Sequence, residues 1–204
     1  MGSTVLLWFV NGTVPPRHLP NTQKRPREYL TPKEVEELIS VARTYGRYGH
    51  RDATMILLAY RHGLRVSELC SLRWNQIDFE TGLLHVRRLK HGIPSVHPLR
   101  ARELRALRKL QRESEPSPYL FVTEQGSPMT TFIICVLDVS QLNSHSSLTF
   151  PVHPHMLRHG CGYKLVNDGH DTRAIQHYLG HKNIQHTVRY TELSPGCFSD
   201  FWQD

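Results

Sequence analysis

The 204-residue chain carries 25 Lys and Arg against 18 Asp and Glu, a formal net charge of +7, with a pI near 9.4. Hydrophobic residues at 39% and charged residues at 21% exclude a disordered chain. The longest early apolar run, Thr4–Val10, is too short for the roughly 20 residues that span a bilayer and lacks the flanks of a secretory signal. One globular, cytoplasmic domain with a tail is expected, and the basic balance favours a polyanionic partner, nucleic acid before a membrane surface.

Residues 11–28 are rich in Pro, polar and basic side chains and read as an extended arm, so the globular part is set to begin at 28. A helix starts at Thr31, a good N-cap, with Pro32 in its first turn and Glu34 completing a capping box; Val35, Leu38, Ile39 and Ala42 follow at helical spacing. A second helix is predicted over Asp52–Arg61 with Gly63 as its stop, and a third over Ser67–Leu72. Residues 83–99 read as a β-hairpin with Gly92 in the turn, 101–113 as a basic helix, and 119–123 as a short strand. Residues 129–152 receive no element. A helix over 154–168 ends at Gly169, and Asp171 caps another that runs through Tyr178. The end, "FSDFWQD", reads as a docking segment. The whole is α+β, mainly α-helical, with a small antiparallel sheet. Cys70, Cys135, Cys161 and Cys197 form no C-x-x-C pair, so buried thiols are expected rather than a zinc or redox motif.

The stretch "HPHMLRHG", residues 153–160, admits a metal site or a phosphate site. His155 and His159 have the i,i+4 spacing of helical ligands. Arg158 stands between them in sequence, however, and no acidic residue occurs between Phe150 and Val166, so no metal is expected. His155 and Arg158 share a helix face. The guanidinium fork suits phosphate oxygens and an imidazole can move a proton near neutral pH. Taken alone, the pair equally fits a solvated helix start. Three further stretches add weight. "HGLRVSEL" puts Arg65 at a helix opening, "RLKHG" puts Lys90 beside a hairpin turn, and "YLGHKN" with "NIQHTVRYTEL" brings His181 and Tyr190.

Arg65, Lys90, His155, Arg158, His181 and Tyr190, in this order and spacing, resemble the tyrosine recombinase (phage integrase) family; residues 153–191 are similar to its short fimbrial phase-variation invertases. The resemblance covers about 28–128 and 152–195. It implies the tyrosine recombinase catalytic-domain fold over 28–204, preceded by an arm over 1–27 in place of the N-terminal clamp domain of larger members. It implies a site-specific DNA recombinase working by inversion, excision or integration, with a catalytically decayed DNA-binding protein as the alternative and a topoisomerase-like nicking enzyme behind it. Arg65 and Arg158 would hold non-bridging oxygens, and His181 would donate to the same phosphate. His155 would act as general base, Lys90 would protonate the leaving 5′ oxygen, and Tyr190 would form a 3′-phosphotyrosyl bond. Neither metal, ATP nor other cofactor is then needed. Glu68 and His159 are expected as supporting residues. Lys33, Arg73, Arg87, Arg88 and Lys182 are expected as DNA-backbone contacts. His153, His177 and His186 are expected to be structural or solvated. The implied partners are double-stranded DNA, three further copies of the chain in a tetramer on paired sites, and DNA-bending accessory proteins, with a nucleoid location.

Overall fold

A computed structural model describes residues 27–45, 47–89, 92–131, 145–150 and 152–192. Helix α1, Pro32–Tyr45, opens with the expected capping box. The Thr31 amide donates to Glu34 Oε2 at 2.7 Å, and Arg27 grips the same carboxylate at 2.6 and 2.9 Å. Val35, Leu38, Ile39 and Ala42 are all buried, against α2, Gly49–Arg61, which starts three residues earlier than expected. Every residue of α2 from Ala53 to Ala59 is buried. A helix apolar on all sides is a central one, and α2 indeed packs against α1, α4 and α5.

After α3, Val66–Cys70, and a 3₁₀ turn at Trp74–Gln76, the chain forms a sheet of β1 (Ile77–Asp78), β2 (Leu83–Val86) and β3 (Ser95–Pro98), antiparallel in the order β1-β2-β3. The hairpin pairs Leu84 with His97 and Val86 with Ser95. Leu84 and Val86 face the core while His85 faces out, the two-residue period of a half-buried sheet. β1 was not expected. Conversely, residues 119–123 are no strand: they make only isolated bridges, Arg73 with Tyr119 and Val122 with Pro128, and Leu120 and Phe121 fill the core from a loop. Then come α4 (Ala101–Glu113), α5 (His155–Asn167), α6 (Thr172–Leu179) and α7 (Gln185–Glu192). Asp171 caps α6 through the Ala174 amide at 2.9 Å. The arm up to residue 26, Lys90, residues 132–144 of the unassigned segment, Cys135, Cys197 and the tail 193–204 lie outside the described residues. Among the described residues, no helix is long and apolar enough to cross a membrane, no group of three metal-ligating side chains occurs, and Cys70 and Cys161 are buried and in no disulfide.

A buried polar chain ties sheet and helices together. Glu103 on α4 approaches His62 Nε2 at 2.8 Å and Arg61 at 3.1 Å. His62 Nδ1 lies 3.1 Å from His97 Nδ1, and the His97 ring stacks on Tyr178 of α6 at 3.8 Å. Burial, helped by His62 and Arg88, pushes His97 down to about 2. Burial likewise lowers His159 to about 4 and His181 to about 3. All three stay neutral in the fold while their unfolded counterparts protonate near 6.5. The unfolded state therefore binds more protons between pH 6.5 and 4, and folding stability falls as pH falls through that window. The expected slope is on the order of 1 kcal/mol per pH unit per histidine. Urea denaturation at pH 7 and pH 5 measures it; equal stability at both would contradict the buried neutral rings.

Candidate active site

Arg65 stands at the N-cap of α3, where its extended backbone turns the chain out of the α2 stop. Its amide donates to Glu68 Oε2 at 3.0 Å and its guanidinium to Glu68 Oε1 at 2.8 Å. Glu68 is 2% exposed and also receives Arg88 Nη1 at 2.9 Å. Burial works against its charge, but the Arg65 amide and the Arg88 and Arg65 guanidinium groups outweigh it and hold the carboxyl below its usual range. Arg88 also donates to the carbonyls of Gly63, His62 and Tyr178. Arg158, on the first turn of α5, donates to the Gly63 and Leu179 carbonyls. Burial, then Arg65 and Arg88, lowers its guanidinium to about 10. Glu68 thus pairs with Arg65 and Arg88, while Arg158 beside them is held by carbonyls alone, so three guanidinium groups face one carboxylate and leave an excess of two positive charges in a partly water-excluded site.

Gly180 makes this packing possible. Its φ of 65° ends α6 in the left-handed region, and a Cβ there would lie 2.7 Å from Arg88 Cγ. The next residue, His181, is 6% exposed, and its Nδ1 lies 2.9 Å from Thr187 Oγ1. Its ring centroid is 6.2 Å from that of Tyr190.

Tyr190, on α7, is 2% exposed. Its ring lies on Gly162, packs edge-on to Tyr163 at 5.2 Å, and its hydroxyl lies 3.1 Å from His159 Nδ1. Positions 159, 162 and 163 form one face of α5, so α7 lays the tyrosine along a seat built at i, i+3 and i+4. Burial raises the Tyr190 hydroxyl to about 12, against the pull of Arg158. The phenol is therefore stored protonated, facing an unprotonated imidazole.

Arg65, Glu68, Arg158, His159, His181 and Tyr190 thus converge. The imidazole on the tyrosine hydroxyl is that of His159, while His155, expected as the general base, is exposed one turn earlier with its ring 6.1 Å from that of His159. One expectation is corrected. Arg88, expected on the DNA backbone, has a fully buried guanidinium locked onto Glu68 and three carbonyls. Lys33, Arg73, Arg87 and Lys182 are exposed, with Arg73 bound to the Tyr119 hydroxyl at 2.9 Å. His177 and His186 are exposed, and His153 is half-buried. Gly162 and Thr187 were not anticipated. A small residue three positions after His159, on the same helix face, was the available signal for Gly162.

The phage integrase family model matches residues 28–196. The chain belongs to the phage integrase family. Over 183 residues it is 41% identical to the type 1 fimbriae regulatory protein FimE of Escherichia coli (strain K12), covering 87% of this chain and 91% of that one. It is 36% identical over 185 residues to the tyrosine recombinase XerC of Bacillus subtilis (strain 168), covering 87% of this chain and 60% of XerC. Among solved structures, the XerA recombinase superposes with a TM-score of 0.72 at 25% identity, covering 90% of this chain and 68% of the other. The Tn1549 transposon integrase, solved in complex with a circular intermediate DNA, gives a TM-score of 0.67 at 26% identity, covering 81% and 61%. The mainly helical fold with its three-stranded antiparallel sheet is thus that of phage-integrase-family recombinases.

Proposed function

We propose that this chain is a site-specific DNA recombinase that breaks and rejoins double-stranded DNA through a 3′-phosphotyrosyl bond to Tyr190, without metal or ATP. The observation that carries this reading is the buried Tyr190 hydroxyl on His159 beside a guanidinium cluster with excess positive charge. A phosphodiester brings one negative charge and gains a second as phosphorus becomes five-coordinate. Arg65 and Arg158 supply preorganised donors for it. His181 Nδ1 lies against Thr187 Oγ1, and the tautomer in which that hydroxyl donates carries the ring proton on Nε2, where it can donate to the same phosphate. In the forward step the tyrosine oxygen bonds to phosphorus and its proton passes to His159. The bond from phosphorus to the 5′ oxygen breaks, and that oxygen takes a proton, the role of Lys90. A 5′ hydroxyl from a second strand reverses these steps, so the phosphodiester energy is conserved in the tyrosyl bond. His155, at the solvent side of His159, relays the proton outward.

Residues 28–204 act as the catalytic domain, and 1–27 form a basic arm along the DNA. Strand exchange needs paired sites, hence four copies of the chain, with DNA-bending proteins assisting. Lys33, Arg73, Arg87 and Lys182 hold the backbone. The direct test is a supercoiled plasmid carrying the DNA that flanks the chain's own gene, incubated with purified protein in chelator and without nucleotide. Recombined junctions at fixed positions are expected. Relaxation without junctions, or a requirement for metal or nucleotide, would contradict the proposal.

A further inference from the structure

α4 carries Arg102, Arg105, Lys109 and Arg112 at spacings of three, four and three residues, the repeat of a single helix face. Its opposite face buries Glu103, Leu107 and Leu110. The first three cations line a cleft of about 450 Å³ whose other walls are Arg43 of α1 and His50, Ala53, Thr54 and Leu57 of α2. No carboxylate lines this cleft. The neighbouring cleft differs: Glu113, Glu115 and Glu124 stand there among its cations, and Arg47 pairs with Glu124 at 2.5 Å. Arg102 is held by Glu36 on the rim, and Lys109 lies 3.6 Å from Glu113. Among the described residues, no carboxylate lies within ion-pairing distance of Arg43, Arg105 or Arg112. Glu36 and Glu113 answer Arg102 and Lys109 from the rim, while Arg43 of α1 and Arg105 of α4 have no ion-pair partner among the described residues and are open to an outside anion.

The groove does not belong to the catalytic site. On α2 its lining residues 50, 53, 54 and 57 lie across the helix axis from Met55, Ile56 and Ala59, which face Pro154 and Leu157 at the start of α5. α5 carries Arg158 and His159, so the groove opens on the far side of α2. Ten residues of helix from Arg102 to Arg112 extend about 15 Å. At about 3.4 Å per phosphate along the axis of one strand, that row faces about four successive phosphates.

We propose that this groove is a second DNA-binding surface, holding the phosphate backbone of a duplex other than the one at Tyr190. The word "second" rests on the recombinase reading; the binding itself does not. One protomer then grips two segments, which raises the local concentration of one recombination site near another.

The test uses the full chain, an Arg43→Glu/Arg105→Glu variant with both exchanges at exposed positions, and a non-specific duplex about one helical turn long. Native mass spectrometry at low salt counts duplexes per monomer. The wild type is expected to carry two and the variant one, at concentrations that saturate the wild type. Both proteins are expected to form the Tyr190 adduct at equal rates on nicked DNA bearing the recombination site. A wild type that stops at one duplex overturns the proposal and leaves the groove to an acidic protein partner. A variant that still carries two also overturns it, as does one whose adduct rate falls with its second duplex. Two duplexes on the wild type without any adduct would contradict the recombinase reading and leave the groove standing.

Discussion

Glu68→Gln is expected to cost about 3–5 kcal/mol of folding stability, the usual result of removing one partner of a buried ion pair. The Arg88 guanidinium is fully buried, and Glu68 is its sole carboxylate among the described residues. The amide keeps the shape of the side chain but leaves three guanidinium groups in mutual repulsion, and it aims an NH₂ at one of them. For a domain whose total stability is about 5–15 kcal/mol, this is a large share. A fall in Tm on the order of 10 °C follows. DNA should return part of the loss, because a phosphate restores negative charge beside Arg65 and Arg158. Thermal unfolding of both proteins, with and without a bound duplex, checks each statement. A loss under about 1 kcal/mol would mean that Arg88 finds another anion.

Gly162→Ala is expected to slow formation of the covalent adduct by about 100-fold while leaving DNA binding intact. The methyl group would stand 2.7–2.9 Å from three atoms of the Tyr190 ring. Helix propensity alone predicts a gain of about 1 kcal/mol from this exchange. The ring must instead move off its seat, carrying the hydroxyl away from His159. A displacement near 1 Å is enough to cost two orders of magnitude in an aligned displacement reaction. Single-turnover cleavage of a nicked site measures the rate. An unchanged rate would show that Tyr190 leaves the seat before it reacts.

Much of this architecture is written in local pattern. The Thr31 capping box, the apolar spacing of α1 and the Asp171 cap are short-range signals, and each appears where expected. What failed to show had little pattern to show. β1 is two residues long. α7 buries Thr187 and Tyr190, neither of which registers as an apolar repeat. Residues 119–123 look like a strand because Leu120 and Phe121 are core residues, yet they bury from a loop.

The site was readable as a set of residue types but not as a set of partners. Arg88 illustrates the difference. Leu84 and Val86 point inward along β2, and the same two-residue step carries Arg88 inward and Arg87 outward. Charge suggested a surface, and the period overrode it because Glu68 and three carbonyls waited inside. His155 and His159 share one helix face, so spacing alone could not choose between them. The choice falls to α7, which brings the Tyr190 hydroxyl one turn further along α5, onto His159.

Covalent capture on Tyr190 is the most direct measurement to make. Wild-type protein and Tyr190→Phe are incubated with nicked fragments of the DNA flanking the gene, denatured, and any adduct is located by peptide mapping. An adduct on Tyr190 in the wild type, absent from the Phe variant while native gels still show bound DNA, is the predicted result. An adduct that persists in the Phe variant, or a wild type that binds the nicked site and never links to it, would contradict it.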